Sequence, residues 1–177
     1  MTTRTTLVLL AVLLGCAAVA FFVQGPGSAD RPNARGALIQ GLKAGDVAVV
    51  RTTKAGTEIV LTRVGGAWKL GAAMSPADSA AVDALLAKLV DVREGAVVST
   101  NPAKQAAYET DAEKGISVRL ENAGGKSIAA FVIGKRGPDF ASCYLRREGK
   151  SEVLLVSPDL RTDFSRPAES WREPPKK

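Results

Sequence analysis

The chain has 177 residues, 46% of them apolar, which is enough to bury the core of one domain with an appendage. Its formal charge of +6 comes from interspersed acids and bases, with a dense basic run only at Lys176-Lys177, so no nucleic-acid stripe stands out and no nucleic-acid partner is expected. Histidine is absent, which removes the commonest zinc ligand and the usual general base of a nucleophilic triad.

The amino terminus sets location. Leu7 to Val23 is a run of 17 uncharged residues behind a polar start with one base, Arg4. As a helix it reaches roughly 25 Å, close to the hydrocarbon core of a bilayer. Three fates compete for it. Ala18-Val19-Ala20 offers a small-x-small cleavage site, although Phe21-Phe22-Val23 continues the apolar run beyond it. Leu13-Leu14-Gly15-Cys16 offers a lipoprotein signal, making Cys16 a candidate lipidation site. A retained signal-anchor accounts for the whole uncharged length. Arg4 and the amino terminus argue for a cytoplasmic start, whereas Arg31 and Arg35 pull the other way. The secretory character of the start favours a folded domain outside the cytoplasm, at the cytoplasmic membrane. The division expected is an anchor over 1–24, a flexible linker over 25–45 rich in Gly, Pro and Ser, a domain over 46–173, and a polar tail over 174–177. Cys16 and Cys143 fall in different parts of this plan, so no disulfide between them is expected.

The domain begins with short β-type runs. Val47–Val50, Glu58–Thr62 and Trp68–Leu70 are separated by Lys54-Ala55-Gly56 and Gly65-Gly66, which predicts a meander. A helix follows, with Ser75 as its predicted N-cap, Pro76 at its first position and Gly95 closing it. Val82, Leu85, Leu86, Leu89 and Val92 recur at spacings of three and four, an apolar stripe that must face a sheet. The second half follows a similar plan. Ile116–Glu121 alternates, Gly124-Gly125 turns the chain, and Ile128–Ile133, Phe140–Arg146 and Glu152–Val156 read as strands. A short helix beginning at Ser157-Pro158 buries Leu160 and Phe164. The predicted fold class is therefore α+β: two antiparallel β-meanders in two sheets, each followed by a helix, as an internal duplication behind an N-terminal transmembrane helix.

Few residues suggest chemistry. Gly124-Gly125-Lys126-Ser127 resembles the end of a phosphate loop, but Leu120 stands where the motif needs glycine and a strand follows, so a hairpin turn is expected. Cys143 shares a strand face with Ala141 and Leu145 and reads as a packing cysteine, despite Arg146 and Arg147 nearby. Asp91, Glu94, Glu109, Asp111 and Glu113 match no calcium-loop spacing and read as solvated surface. Trp68 is expected in the core and Trp171 as a clasp on the sheet. No catalytic, cofactor-binding or metal-ligating residue is predicted, and no cofactor.

Several segments together carry a family resemblance. They are Leu61–Leu70, the Ser-Pro-Ala-Asp run at 75–78, Tyr108 with Asp111, Ile133-Gly134-Lys135 before Cys143–Arg146, and Val156–Leu160 leading to Trp171-Arg172-Glu173. In this order they resemble the bacterial domain of unknown function (DUF) family 4340, over about Asp46 to Glu173. Tyr108-Glu109-Thr110-Asp111 departs from the Tyr-Gly-Leu-Asp of the family pattern. The resemblance implies a membrane-anchored domain whose genes often neighbour ABC-type permeases of the gliding-motility auxiliary kind, and it implies no catalytic residue. The function expected is a non-catalytic accessory or interaction domain, with the membrane and ABC-type permease subunits as partners. The alternative is an envelope small-ligand binder or enzyme using a cleft between the two sheets.

Overall fold

Residues 36–174 are described by a computed structural model. The Leu7–Val23 run and Cys16 lie outside the described residues. Among the described residues no helix is long and apolar enough to cross a membrane.

Alternation of apolar and polar residues, broken by glycine pairs, produces an antiparallel sheet. Its strands are β1 (Val49–Lys54), β2 (Thr57–Val64), β3 (Ala67–Leu70), β4 (Ser75–Pro76), β5 (Val97–Ser99), β6 (Ile116–Glu121), β7 (Ser127–Arg136), β8 (Cys143–Arg147) and β9 (Val153–Val156). Two helices accompany them, α1 (Ser79–Asp91) and the single turn α2 (Arg161–Phe164). The fold is thus mostly antiparallel sheet with a few helical segments, in the α+β manner.

The two sheets expected from the sequence are one. Strand order is β4-β3-β2-β1-β6-β7-β8-β9-β5, with β1 pairing β6 antiparallel from Val49↔Glu121 to Lys54↔Ile116. The reason is edge satisfaction. Left apart, β1 and β6 would each expose a six-residue row of backbone donors and acceptors, and pairing them removes both edges at once. No cleft between sheets exists in this arrangement.

The core lies on one face of the sheet. Val82, Leu85, Leu86 and Leu89 of α1 are buried against Val50, Leu61, Ile116, Val118, Leu120, Ile133 and Leu145. Trp68 is 1% exposed, and its indole N–H donates to Asp83 Oδ1 at 2.9 Å, satisfying the one polar group that its burial would strand.

Several predicted boundaries move, each for a local reason. Ser75-Pro76 does not cap the helix. It pairs with Leu70 and Lys69 as the edge strand β4, where a residue lacking an N–H costs no ladder bond. The cap is Asp78, whose carboxylate accepts from Ala81 N at 3.0 Å. Gly95 does not close α1; Val92 leaves the helix in an extended conformation and is fully buried. Gly95 has another reason to be glycine, because a β-carbon there would sit 1.4 Å from Leu155 O. Strand β8 starts at Cys143, not Phe140, since Gly137-Pro138-Asp139 makes a turn first. The last helix begins at Arg161, after the extended Val153–Val156 has passed Ser157-Pro158. Strand β5 was not foreseen.

The predicted linker is also shortened. Within 25–45, residues 36–45 are described and pack on the domain. Leu38 and Leu42 are buried in the core, Leu38 N donates to Val92 O at 2.9 Å, and Ala37 bridges Arg93. Apolar side chains at 38, 39 and 42 explain this, since an exposed tether has no use for them. At the other end, Trp171 is 3% exposed, Asp78 N donates to Trp171 O at 2.8 Å, and Ala77 bridges Arg172. This clasp covers the β4 edge.

Candidate functional site

Helix α1 covers one face of the sheet, so the residues alternating with the core ones face the other way. On that face the segment 105–115 covers the β7–β8 end. Tyr108 and Tyr144 rings meet at 4.8 Å, and Arg146 Nε donates to Thr110 O at 3.0 Å. Gly134 permits the approach: a β-carbon there would meet Tyr108 O at 2.2 Å. Arg161 reaches under the same segment, donating from Nη1 to Gly134 O at 2.5 Å and pairing through Nη2 with Glu109 at 2.9 Å.

What stays open is the face of β2, β1 and β6. Arg51 stands directly opposite Arg119, and Thr53 opposite Ser117. Two like charges across a ladder repel, and three carboxylates offset this. Arg51 pairs with Glu121 at 3.2 Å and Glu58 at 3.6 Å, and Arg119 pairs with Glu148 at 3.0 Å. Between them lies a depression of about 180 Å³ lined by Arg51, Thr53, Glu58, Ser117, Arg119 and Glu148. This is smaller and more polar than the roughly 300–1,000 Å³ of an ordinary small-molecule pocket. The arrangement is an open lattice of ion pairs, two of them exposed on both partners.

A second hollow, of about 360 Å³, opens on the core side, between Leu38-Ile39-Gln40 and Ile128, Phe131 and Leu145. Its rim cation, Arg147, is already held by Glu94 at 3.0 Å and by Leu38 O at 3.0 Å. That bond belongs to the docking of the 36–45 segment.

A family model described as a domain of unknown function, DUF4340, matches residues 68–175. The chain belongs to this family. No curated protein and no solved structure matches it. Within the DUF4340 fold, the departure at Tyr108-Glu109-Thr110-Asp111 now has a geometry. Glu109 has φ +55°, a left-handed conformation that glycine takes freely, and Arg161 holds its carboxylate. Thr110 is fully buried and donates through Oγ1 to Gln105 O at 3.3 Å.

The residues singled out in the sequence are not brought together. Cys143 is a free, fully buried thiol whose sulfur accepts from Leu160 N at 3.5 Å, and burial pushes its pKa up to about 11. Such a thiol is the reverse of an activated nucleophile. Glu94 and Glu109 serve the ion pairs already described. Asp111 caps its own turn, accepting from Glu113 N at 2.8 Å and Lys114 N at 3.0 Å, and the Lys114 amide bond leads in holding its pKa below the usual carboxylate value. Among the described residues no three His, Cys, Asp or Glu side chains converge as a metal site. Gly124-Gly125 is the β6–β7 turn, with Gly125 at φ +74° and Asn122 Oδ1 accepting from Gly124 N and Lys126 N.

Sequence reasoning missed the lattice and one further residue. Arg119 falls within the predicted strand Ile116–Glu121 and Arg51 just beyond the predicted Val47–Val50, and only the β1–β6 register sets them face to face. Phe140 was read as a strand residue, whereas it stands 76% exposed on the turn before β8. The Gly-Pro-Asp triplet ahead of it was the available signal.

Proposed function

We propose that this DUF4340 domain is a membrane-anchored, extracytoplasmic accessory domain that acts by contact, not by catalysis, and that an ABC-type permease complex is its partner. The anchor of this reading is the uncharged Leu7–Val23 run, either as a retained helix or through acylation at Cys16. The observation that carries the contact reading is the open β2-β1-β6 face. Folding already has its core on the other side, yet this face sets out Arg51, Arg119, Glu58 and Glu148 in pairs exposed on both partners, with Glu121, at 16% exposure, the one more covered carboxylate. Exposed pairs of this kind contribute about 0–1 kcal/mol each to stability, so they are free to exchange partners at an interface, where charge complementarity sets specificity. The β4 edge, by contrast, is closed by the Trp171 clasp, and β5 is short and irregular in register. These features favour the face over β-augmentation as the contact.

The internal duplication belongs to the same proposal. It rests on the sequence plan, in which each half runs strands, then Ser-Pro, then a helix. The test of the function is co-purification. The full chain, extracted with a mild detergent that keeps the permease complex intact, brings permease subunits with it; recovery of none of them refutes the assignment of that partner.

A further inference from the structure

Phe140 combines two costs at one residue. At 76% exposure it is the most water-facing large apolar side chain among the described residues. Its φ of +57° lies in the left-handed region, where a β-carbon is disfavoured and glycine or asparagine sits more easily. The turn that carries it is locked. Asp139 Oδ1 accepts from Ala141 N at 3.2 Å, Ser142 N at 3.0 Å and Ser142 Oγ at 2.6 Å. Gly137 N donates to Ser142 O at 2.9 Å, and Phe140 N to Gly137 O at 3.3 Å. Nothing in the fold recovers the strain or the exposure. A backbone outlier held in place by its surroundings is where function is sought.

The neighbouring residues indicate the partner. Pro138 and Ala141, close to Phe140 in sequence, are exposed, and Asp139 is an exposed, charged carboxylate whose Oδ1 accepts the bonds of the turn. Lys135 is exposed, with Nζ 5.9 Å from the Tyr108 and Tyr144 rings, and it enters none of the ion pairs among the described residues. Arg136 is half exposed and already held, by Asp159 Oδ2 at 3.2 Å and by Thr162 Oγ1 at 2.6 Å. An aromatic tip next to a lysine outside the ion pairs is the composition of an interfacial lipid contact. From Val23 to Gly36 there are thirteen residue steps, which reach at most roughly 45 Å even fully extended. A domain anchored through Leu7–Val23 therefore never leaves the neighbourhood of the bilayer.

We infer that the Gly137–Ser142 turn makes a second, shallow contact with an anionic lipid surface, Phe140 entering the headgroup–acyl boundary while Lys135 meets lipid phosphates. The inference rests on the membrane-anchored reading above. One ring and one base hold a free protein weakly, but a tether makes the contact intramolecular and so effective. Its consequence is to fix which side of the domain faces the lipid.

The test uses the full chain with Phe140→Trp, reconstituted in vesicles of phosphatidylcholine and phosphatidylglycerol in equal parts, some with acyl chains brominated near the headgroup. The expected result is an indole emission shifted to shorter wavelength and quenched by the brominated lipid, beyond the wild-type background from the buried Trp68 and Trp171. Lys135→Glu in the same protein reduces the quenching. Emission typical of water with no quenching overturns the inference, as does a shift that appears only when a permease complex is added. Flotation of the same vesicles reads the anchor separately. A chain that floats without quenching defeats the lipid contact alone, one that does not float yet is quenched by added vesicles upholds it, and one that does neither defeats both readings.

Discussion

Trp171→Ala is the most informative single perturbation of the fold. The indole is 3% exposed, packed under Arg166 at 5.2 Å from the ring centroid, and its residue accepts from Asp78 N, the backbone of the α1 cap. Large-to-small changes at a buried Trp cost about 3–5 kcal/mol. A domain of this size commonly has about 5–15 kcal/mol in all, so the variant loses roughly a fifth or more of its stability. Urea titration followed by circular dichroism reads the loss as a lower midpoint at nearly unchanged slope. Hydrogen exchange gives the local signature: the Asp78 amide, and the Glu173 amide that donates to Pro76 O, lose protection before the β1–β6 core does. A Trp171→Ala protein within about 1 kcal/mol of wild type, with Asp78 still protected, would show that the carboxy-terminal segment does not close the β4 edge.

Leu38→Ala tests whether residues 36–45 belong to the domain: a side chain 4% exposed costs about 2–5 kcal/mol when truncated, and a loss under 0.5 kcal/mol, the usual range for surface sites, would return the segment to the linker. For Cys143, burial raises the folded pKa from 9.0 to about 11, so its contribution is fully present below pH 9 and is lost as pH rises toward 11. That window is worth on the order of 2–3 kcal/mol; Cys143→Ala removes this share of the alkaline decline, and alkylation of the folded wild-type thiol at neutral pH would contradict the burial. Glu109→Gly should be more stable than Glu109→Ala by about 1 kcal/mol, because both lose the Arg161 pair and only glycine relaxes the left-handed backbone; equal midpoints would deny the strain.

Much of the fold was readable because one signal dominated locally. The alternation of Ile116–Glu121 and the stripe from Val82 to Leu89 needed no context, and both elements stand where periodicity put them. The pairing of β1 with β6 was not readable, since it joins strands more than sixty residues apart in sequence and nothing in either strand names its neighbour. Boundaries went astray where two local rules competed. Ser75-Pro76 satisfies both a helix start and an edge strand, and the free edge of β3 decided between them. Gly95 looked like a helix stop and is instead a point where β9 passes too close for a side chain. The candidate site was the least legible part, because an Arg/Glu lattice consists of residues that are unremarkable one at a time and gains meaning only from register.

The central claim is that this domain works by presenting its open charged face to a membrane partner. The direct measurement is recovery of permease subunits by the full chain against Arg119→Glu and Arg51→Glu variants, with urea midpoints recorded alongside. The account predicts a loss of recovered permease in both variants, with a stability change of about 0–1 kcal/mol for Arg119→Glu, whose pair with Glu148 is exposed on both partners, and a larger one for Arg51→Glu, which faces two carboxylates. Undiminished recovery by stably folded variants would contradict it.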